Sequence, residues 1–444
     1  MVRSVVAAAL GGAWMLLGAC AAPDDGVVDA GGVGTADAGG GAGPPPPPAP
    51  LDPTQVRLGT AVAATADAPR PAPAEMPAPP EGVVMVDLGP VVVGEDGASG
   101  TILVDVDLRI RGLTVVVLGQ PDAQVMLTRA EAPDGSVIVD DAPVAVDVPA
   151  RAQATTLSRG FPAQFLSPGR VLPARRIGAF PVPSTADLPL AKGTWALRVG
   201  HFTLTWDEAQ RPTPTPLPLP VRVWVLVRTV APGPGGVGLA LHFTGAGGLT
   251  ADAAARSPAF QDALALTRDV YGGVGVDLDD VVYGDVADGA ALRTLVLDEP
   301  TCDGGDLDEI VARGRPDRLN VFFVDRFECG SVGPFLLGLS PGVPGVPWAS
   351  ATPSAGVVVA GAWLTNDPDR FAVTLAHEIG HWLGLFHTQE NDRFGAALYD
   401  NVADTGEAPA ARENLMFFDV SRIRDRALSA GQAATLQRGA VVLP

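Results

Sequence analysis

Three of the five histidines in the 444-residue chain fall within one short stretch, His377-Glu378-Ile379-Gly380-His381-Trp382-Leu383-Gly384-Leu385-Phe386-His387. The apolar residues Phe371, Leu375, Ile379, Trp382, Leu383 and Phe386 recur at the spacing of an α-helix with one buried face. Asp367 followed by Pro368 supplies an N-cap and a first-turn residue for that helix. His377 and His381 then stand one turn apart on the same face, so their imidazoles can converge on a single ion. Two ligands are too few, because a catalytic zinc site takes three protein ligands and keeps one position open. His387 can be the third only if the helix stops: on an unbroken helix it would lie roughly 9 Å beyond His381 along the axis and off the shared face. Gly384 stands where a left-handed residue would end the helix and turn the chain back. Glu378, beside the first ligand, is placed to take a proton from the attacking water and pass it to a leaving amine.

Taken together, these residues, His-Glu-x-x-His-x-x-Gly-x-x-His, resemble the long zinc signature of the metzincin metallopeptidases. The resemblance implies a methionine turn beneath the metal, and Asn414-Leu415-Met416-Phe417 fits it. Within the metzincins the chain is most similar to the pappalysin-like group. The features that carry this are His387-Thr388 after the signature, Asp404-Thr405 before the turn, and Leu428-Ser429-Ala430-Gly431-Gln432 opening a terminal helix. Gly406 stands where that group usually has proline, the cysteines that usually flank the region are missing, and Phe418 occupies a place where many metzincins carry tyrosine. The resemblance implies a zinc endopeptidase holding one catalytic Zn2+ on His377, His381 and His387, with Glu378 as general base and acid, Met416 as a structural support, and a protein or peptide as substrate. It also implies a substrate lying extended along a strand at the cleft rim, which the likeness places at Gly356-Val357-Val358-Val359.

Arg3, the apolar run from Val5 to Leu17 and the ending Leu17-Gly18-Ala19-Cys20 make residues 1–20 an export signal, too short to span a membrane. The ending resembles a bacterial lipobox with Cys20 as the lipidated residue. The expected location is therefore outside the cytoplasm, lipid-anchored at an outer membrane or cell surface, or secreted if Cys20 is not modified. Residues 21–82 are rich in Ala, Gly and Pro and read as a disordered tether. In residues 83–208 short β-rich runs at Val83 to Leu88, Gly100 to Ile110, Leu113 to Leu118, Gln124 to Ala130, Val137 to Val139 and Thr194 to Val199 predict an all-β sandwich, jelly-roll-like by its resemblance to modules of secreted bacterial proteases. His201 reads as a surface or edge-strand residue. Alternate prolines up to Pro220 make residues 209–220 a stiff linker. Residues 221–444 are left for the catalytic domain, an α/β (α+β) unit whose mixed sheet packs on the zinc helix. Its expected elements are strands at Val221 to Val230, Val274 to Tyr283, Leu319 to Asp325 and Ala355 to Ala360, with a helix at Ser257 to Tyr271.

In an exported chain Cys302 and Cys329 are expected to form a disulfide. The acidic segment Glu390 to Glu407, with Asp392, Asp400, Asp404 and Glu407, has the oxygen-rich composition that Ca2+ takes, and some relatives bind calcium there; solvated loop acids are the plainer reading. With 50 acidic against 30 basic residues and a formal charge of -20, the chain is not built for nucleic acid or anionic membrane surfaces, so the lipid anchor is its expected membrane contact. A second class of function stays open: a catalytically inactive surface lipoprotein whose β-sandwich binds a partner or glycan. The complete set of three ligands, glutamate and methionine favours the peptidase.

Overall fold

A computed structural model describes residues 55–59, 76–140, 167–206, 212–299, 302, 304–330, 333, 336–348, 352, 354–391, 397–406 and 410–444. The export signal, Cys20 and most of the 21–82 stretch lie outside these residues. Among the described residues no helix is long and apolar enough to cross a membrane. The chain is a mixture of α and β with several sheets and few helices.

The first unit is built from β1 (Val56–Leu58), β2 (Val83–Val91), β3 (Ile102–Val106), β4 (Gly112–Leu118), β5 (Gln124–Glu131), β6 (Val137–Asp140), β7 (Ala174–Arg175), β8 (Ile177–Pro181), β9 (Gly193–Trp206), β10 (Pro212–Pro216) and β11 (Val221–Arg228). One sheet runs β1-β3-β9-β5-β6, with β10 added to β9 and β7 to β5; the other runs β2-β11-β4-β8. Val104, Val115, Leu127, Trp195, Val223 and Val225 come from both sheets into one buried apolar core.

Four expectations are corrected at this level. Val56–Leu58 is not part of a tether: it pairs antiparallel with β3, placing Val56 in the core and Arg57 on the Asp105 carboxylate. Pro212–Pro216 is not a free linker but a strand along β9. Proline at every second residue leaves the others to make the ladder bonds on one side, which is what an edge strand tolerates. Val221–Arg228 is not the first strand of the catalytic sheet; it lies between β2 and β4 and is hydrogen-bonded to both. Its sequence, Val-Arg-Val-Trp-Val-Leu-Val-Arg, is apolar on both faces, and each face has its own cover. Val223, Val225 and Val227 enter the core of the first unit, whereas Trp224 and Leu226 pack with Val346 and Ala440 of the second. His201 is also buried rather than superficial: its Nδ1 lies 3.0 Å from the Leu219 carbonyl and its Nε2 accepts from the Gln120 N–H at 3.2 Å.

The second unit contains β12 (Gly235–Gly236), β13 (Leu239–Phe243), α1 (Ala251–Arg256), α2 (Pro258–Gly272), β14 (Val276–Asp277), β15 (Val281–Asp285), β16 (Thr294–Val296), α3 (Asp306–Val311), β17 (Leu319–Val324), β18 (Arg326–Glu328), β19 (Gly338–Leu339), β20 (Gly356–Ala360), α4 (Trp363–Asn366) and α5 (Pro368–Trp382). Its main sheet has the order β15-β13-β17-β20-β19, with the first four strands parallel and β19 antiparallel. β13 takes the place that the sequence reading gave to Val221 to Val230. The strand expected at the cleft rim, Gly356 to Val359, is also displaced from that role: β20 is paired on both sides, and β19 holds the outer position. Helices α2 and α5 cover one face of the sheet, where Phe260, Phe323 and Phe371 meet ring against ring.

Cys302 and Cys329 are joined, as the sequence suggested, in a small apolar cluster with Leu307, Ile310 and Phe327. Their separation of 27 residues sets the chain entropy that the bond removes from the unfolded state. Replacing both by serine is expected to cost about 3.5 kcal/mol, read as a lower urea midpoint; an unchanged midpoint would show that the apolar cluster alone holds this segment.

Candidate metal centre

Helix α5 begins as its sequence requires. The Asp367 carboxylate accepts from the Arg370 N–H at 3.0 Å, and Pro368 occupies the first turn. Its burial is more complete than the apolar spacing implied: every residue from Phe371 to Trp382 is buried, not one face. The sheet and α2 cover one side, and the segment around Met416 closes the other. At Gly380 the approach is so close that a Cβ would fall 2.5 Å from Met416 Sδ and 3.1 Å from Tyr271 Oη. The small side chain there is a packing requirement.

The helix ends where the histidine spacing demanded. Gly384 has φ +109°, a conformation that favours glycine. The Leu385 N–H donates to Gly380 O at 2.9 Å and the Gly384 N–H to His381 O at 2.9 Å, the paired bonds of a Schellman turn. The chain reverses and brings His387 back beside His381.

The three imidazoles meet, with ring centroids 4.6 Å apart for His377 and His381, 5.2 Å for His377 and His387, and 4.6 Å for His381 and His387. Candidate ligand atoms from all three lie within 4.8 Å of one another. Each ring is oriented through its other nitrogen. His377 Nδ1 donates to Leu415 O at 2.7 Å, His381 Nδ1 to Leu385 O at 2.7 Å, and His387 Nδ1 to Glu390 Oε1 at 3.2 Å. With Nδ1 carrying the proton, Nε2 is left as the lone-pair donor, facing the common centre. Burial, reinforced by the neighbouring His387, lowers the pKa of His377 to about 3 and that of His381 well below its ordinary value, so both rings are neutral at physiological pH. His377 Nε2 is buried with no hydrogen-bond partner. An inward-facing set of three imidazole nitrogens, one of them unsatisfied, fits zinc with an open fourth position.

Glu378, the next residue after His377, is fully buried. Its carboxylate lies against β19: a Cβ on Gly338 would fall 2.6 Å from Glu378 Oε1. The glutamate thus stands beside the outermost strand of the sheet. Nearby, Tyr271 donates from Oη to Ala376 O at 2.6 Å, and burial together with the Glu378 charge raises its pKa well above the usual phenol value.

The Met416 segment is held from several sides. The chain passes from His387 through β21 (Gln389–Asn391), β22 (Ala397–Tyr399) and α6 (Ala410–Glu413) to this segment, and then to α7 (Ala430–Arg438). The Met416 N–H donates to Asn414 Oδ1 at 2.8 Å, the Phe417 N–H to Asn414 O at 3.0 Å, and the Thr388 N–H to Met416 O at 2.9 Å. The Asn414 amide exchanges two bonds with that of Gln432, at 3.0 and 3.1 Å, while Ser429 and Gln432 form the capping box of α7. Phe418 brings its ring within 6.4 Å of that of His387.

The acids considered for calcium are engaged elsewhere. Asp404 accepts from Ser429 Oγ at 2.6 Å and from the Gly431 N–H at 2.8 Å, at the start of α7, and Asp400 accepts from Thr405 Oγ1 at 2.6 Å. Asp392 and Glu407 lie outside the described residues. Among the described residues the only His, Cys, Asp and Glu grouping able to hold a metal is His377, His381 and His387. The geometry supports zinc and does not support calcium.

Two residues of this centre were not found from the sequence. Glu390, taken as a loop acid, is the partner of His387; its spacing of three residues was the available signal. Arg170 of the first unit forms an ion pair with Glu390 at 3.0 Å and lies 4.7 Å over the Phe386 ring. Burial raises the Glu390 pKa, but the positive charge of Arg170 and the bond to His387 outweigh it and leave the carboxyl below its ordinary value.

Three histidines on a helix and its return turn, with a buried glutamate beside the first, define the metal centre of a zinc metallopeptidase. Residues 319–426, which include β17, β19, β20, α5 and the Met416 turn, match the peptidase family M43 model, described as Pregnancy-associated plasma protein-A. Over this segment the chain is similar to the pappalysin group of metzincin-like peptidases. A search of curated proteins gave no match.

Proposed function

We propose that the protein is an extracytoplasmic endopeptidase that depends on one zinc ion held by His377, His381 and His387. The observation that carries the reading is the convergence of three inward-facing imidazoles beside the buried Glu378 carboxylate. When bound there, zinc supplies Lewis-acid polarisation of the scissile carbonyl and lowers the pKa of water. The chain's own residues do the rest. Glu378 takes the proton of the attacking water on a carboxylate oxygen and returns it to the leaving nitrogen. The Leu415 and Leu385 carbonyls and the Glu390 carboxylate keep each ring in the tautomer that offers Nε2. The outer edge of β19, next to Glu378, offers backbone groups to an extended peptide. Phe418 has no hydroxyl, so no proton or hydrogen bond comes from that position. The export signal and Cys20 read from the sequence support a location on the outer side of a membrane, and the two sheets of the first unit, which share one apolar core, support a β-sandwich beside the catalytic unit.

The direct test uses the full chain against an unfolded protein substrate. Hydrolysis is expected, dialysis against a strong chelator is expected to abolish it, and one equivalent of zinc is expected to restore it. A folded chain that takes up no zinc would overturn the reading.

A further inference from the structure

We infer that Arg170 is a positioning residue of the metal centre, holding the third ligand, His387, in place from the first unit through Glu390 and Phe386. The inference rests on the zinc reading above. His377 and His381 are oriented by main-chain carbonyls of their own unit, which cannot turn away. His387 differs in both respects. It lies beyond the Gly384 turn, outside the helix, and its Nδ1 partner is the Glu390 side chain.

Glu390 Oε1 serves two partners, His387 Nδ1 at 3.2 Å and Arg170 at 3.0 Å, with the glutamate side chain 13% exposed and that of Arg170 3%. A carboxylate in such surroundings keeps its charge and direction only when a cation accompanies it. The Arg170 guanidinium also lies over the ring of Phe386, the residue preceding His387. One side chain therefore fixes the chain before the histidine and the carboxylate after it.

Arg170 is itself held firmly. The Gly169 N–H donates to Ile138 O at 2.7 Å, Val171 enters the core of the first unit, and Asn401 of the second unit donates to Pro168 O at 2.7 Å. The metal centre is completed by a residue 220 positions away from Glu390 in sequence.

The test measures zinc affinity of the full chain by competition with a chromophoric chelator, with circular dichroism to report folding. Arg170→Met, which keeps the stem, and Glu390→Gln are each expected to weaken zinc binding about tenfold, the low end for residues that orient a metal ligand. Because Arg170 acts through Glu390, the double variant is expected to bind zinc no more weakly than Glu390→Gln alone. A purely structural role for Arg170 would leave affinity unchanged or make the two effects multiply, and either result overturns the inference. Should Arg170→Met not fold, Arg170→Gln replaces it with the same expectation. Failure of the wild type to bind zinc would instead overturn the metal reading, so the two failures are distinct.

Discussion

Replacing Glu378 by glutamine is expected to slow peptide hydrolysis by about 10²- to 10⁴-fold, the range for loss of a general acid–base group, while one zinc per chain is retained. The substitution keeps shape and removes only the ability to take a proton. Zinc retention follows from the geometry, since the grouped ligand atoms belong to the three histidines and Glu378 is not among them. The glutamine, being of the same shape, fits the space that the carboxylate occupies against Gly338. Rate and zinc content measured on both proteins decide the matter. A variant that cleaves as fast as the wild type would remove Glu378 from the mechanism, and a variant that loses zinc would make it part of the metal site.

The second large effect is expected far from the metal. Arg228, at the end of β11, is 1% exposed, and its guanidinium donates to the carbonyls of Val230, Ala231, Gly439 and Val442. Two of these follow β11 directly, and two belong to the chain after α7. Burial lowers its pKa, but a guanidinium stays charged at neutral pH, and four carbonyl dipoles answer that charge. Arg228→Ala would leave those carbonyls without a donor and a cavity where the stem lay, a loss of about 3–5 kcal/mol. A urea titration of the full chain checks it. A midpoint unchanged from the wild type would mean that Arg228 adds nothing to the joining of the two units.

The histidine stretch was legible because a helix converts spacing into direction. Once His377 and His381 share a face, His387 needs a turn, and Gly384 provides one. The disulfide was read from the pairing of two cysteines in an exported chain, and Met416 from the resemblance to the metzincins. What escaped was the choice of partner. Val221–Arg228 announces a strand buried on both faces, but nothing in its residues says against which sheet, and it was given to the wrong unit. β13, with only five residues, was passed over although it lies near the centre of the catalytic sheet. The rim position was given to β20 by the likeness to the metzincins, whereas the two-residue β19 has almost no pattern to read. Arg170 and Glu390 were invisible for the same reason. Their link is a tertiary contact between one arginine among 30 basic residues and one glutamate among 50 acids.

The two-faced burial of β11 also bears on how such a protein can be divided. A catalytic fragment starting at residue 221 would carry the strand with Val223, Val225 and Val227 stripped of their core and facing water. One starting after residue 230 would instead bare Val346 and Ala440, the neighbours of Trp224 and Leu226. Neither cut yields a clean surface, so a protease nicking the proline-rich stretch would produce two sticky halves, and a gene fusion or shuffling event at that point would inherit an aggregating piece. The peptidase half and the β-rich half are therefore expected to travel together as one inseparable body.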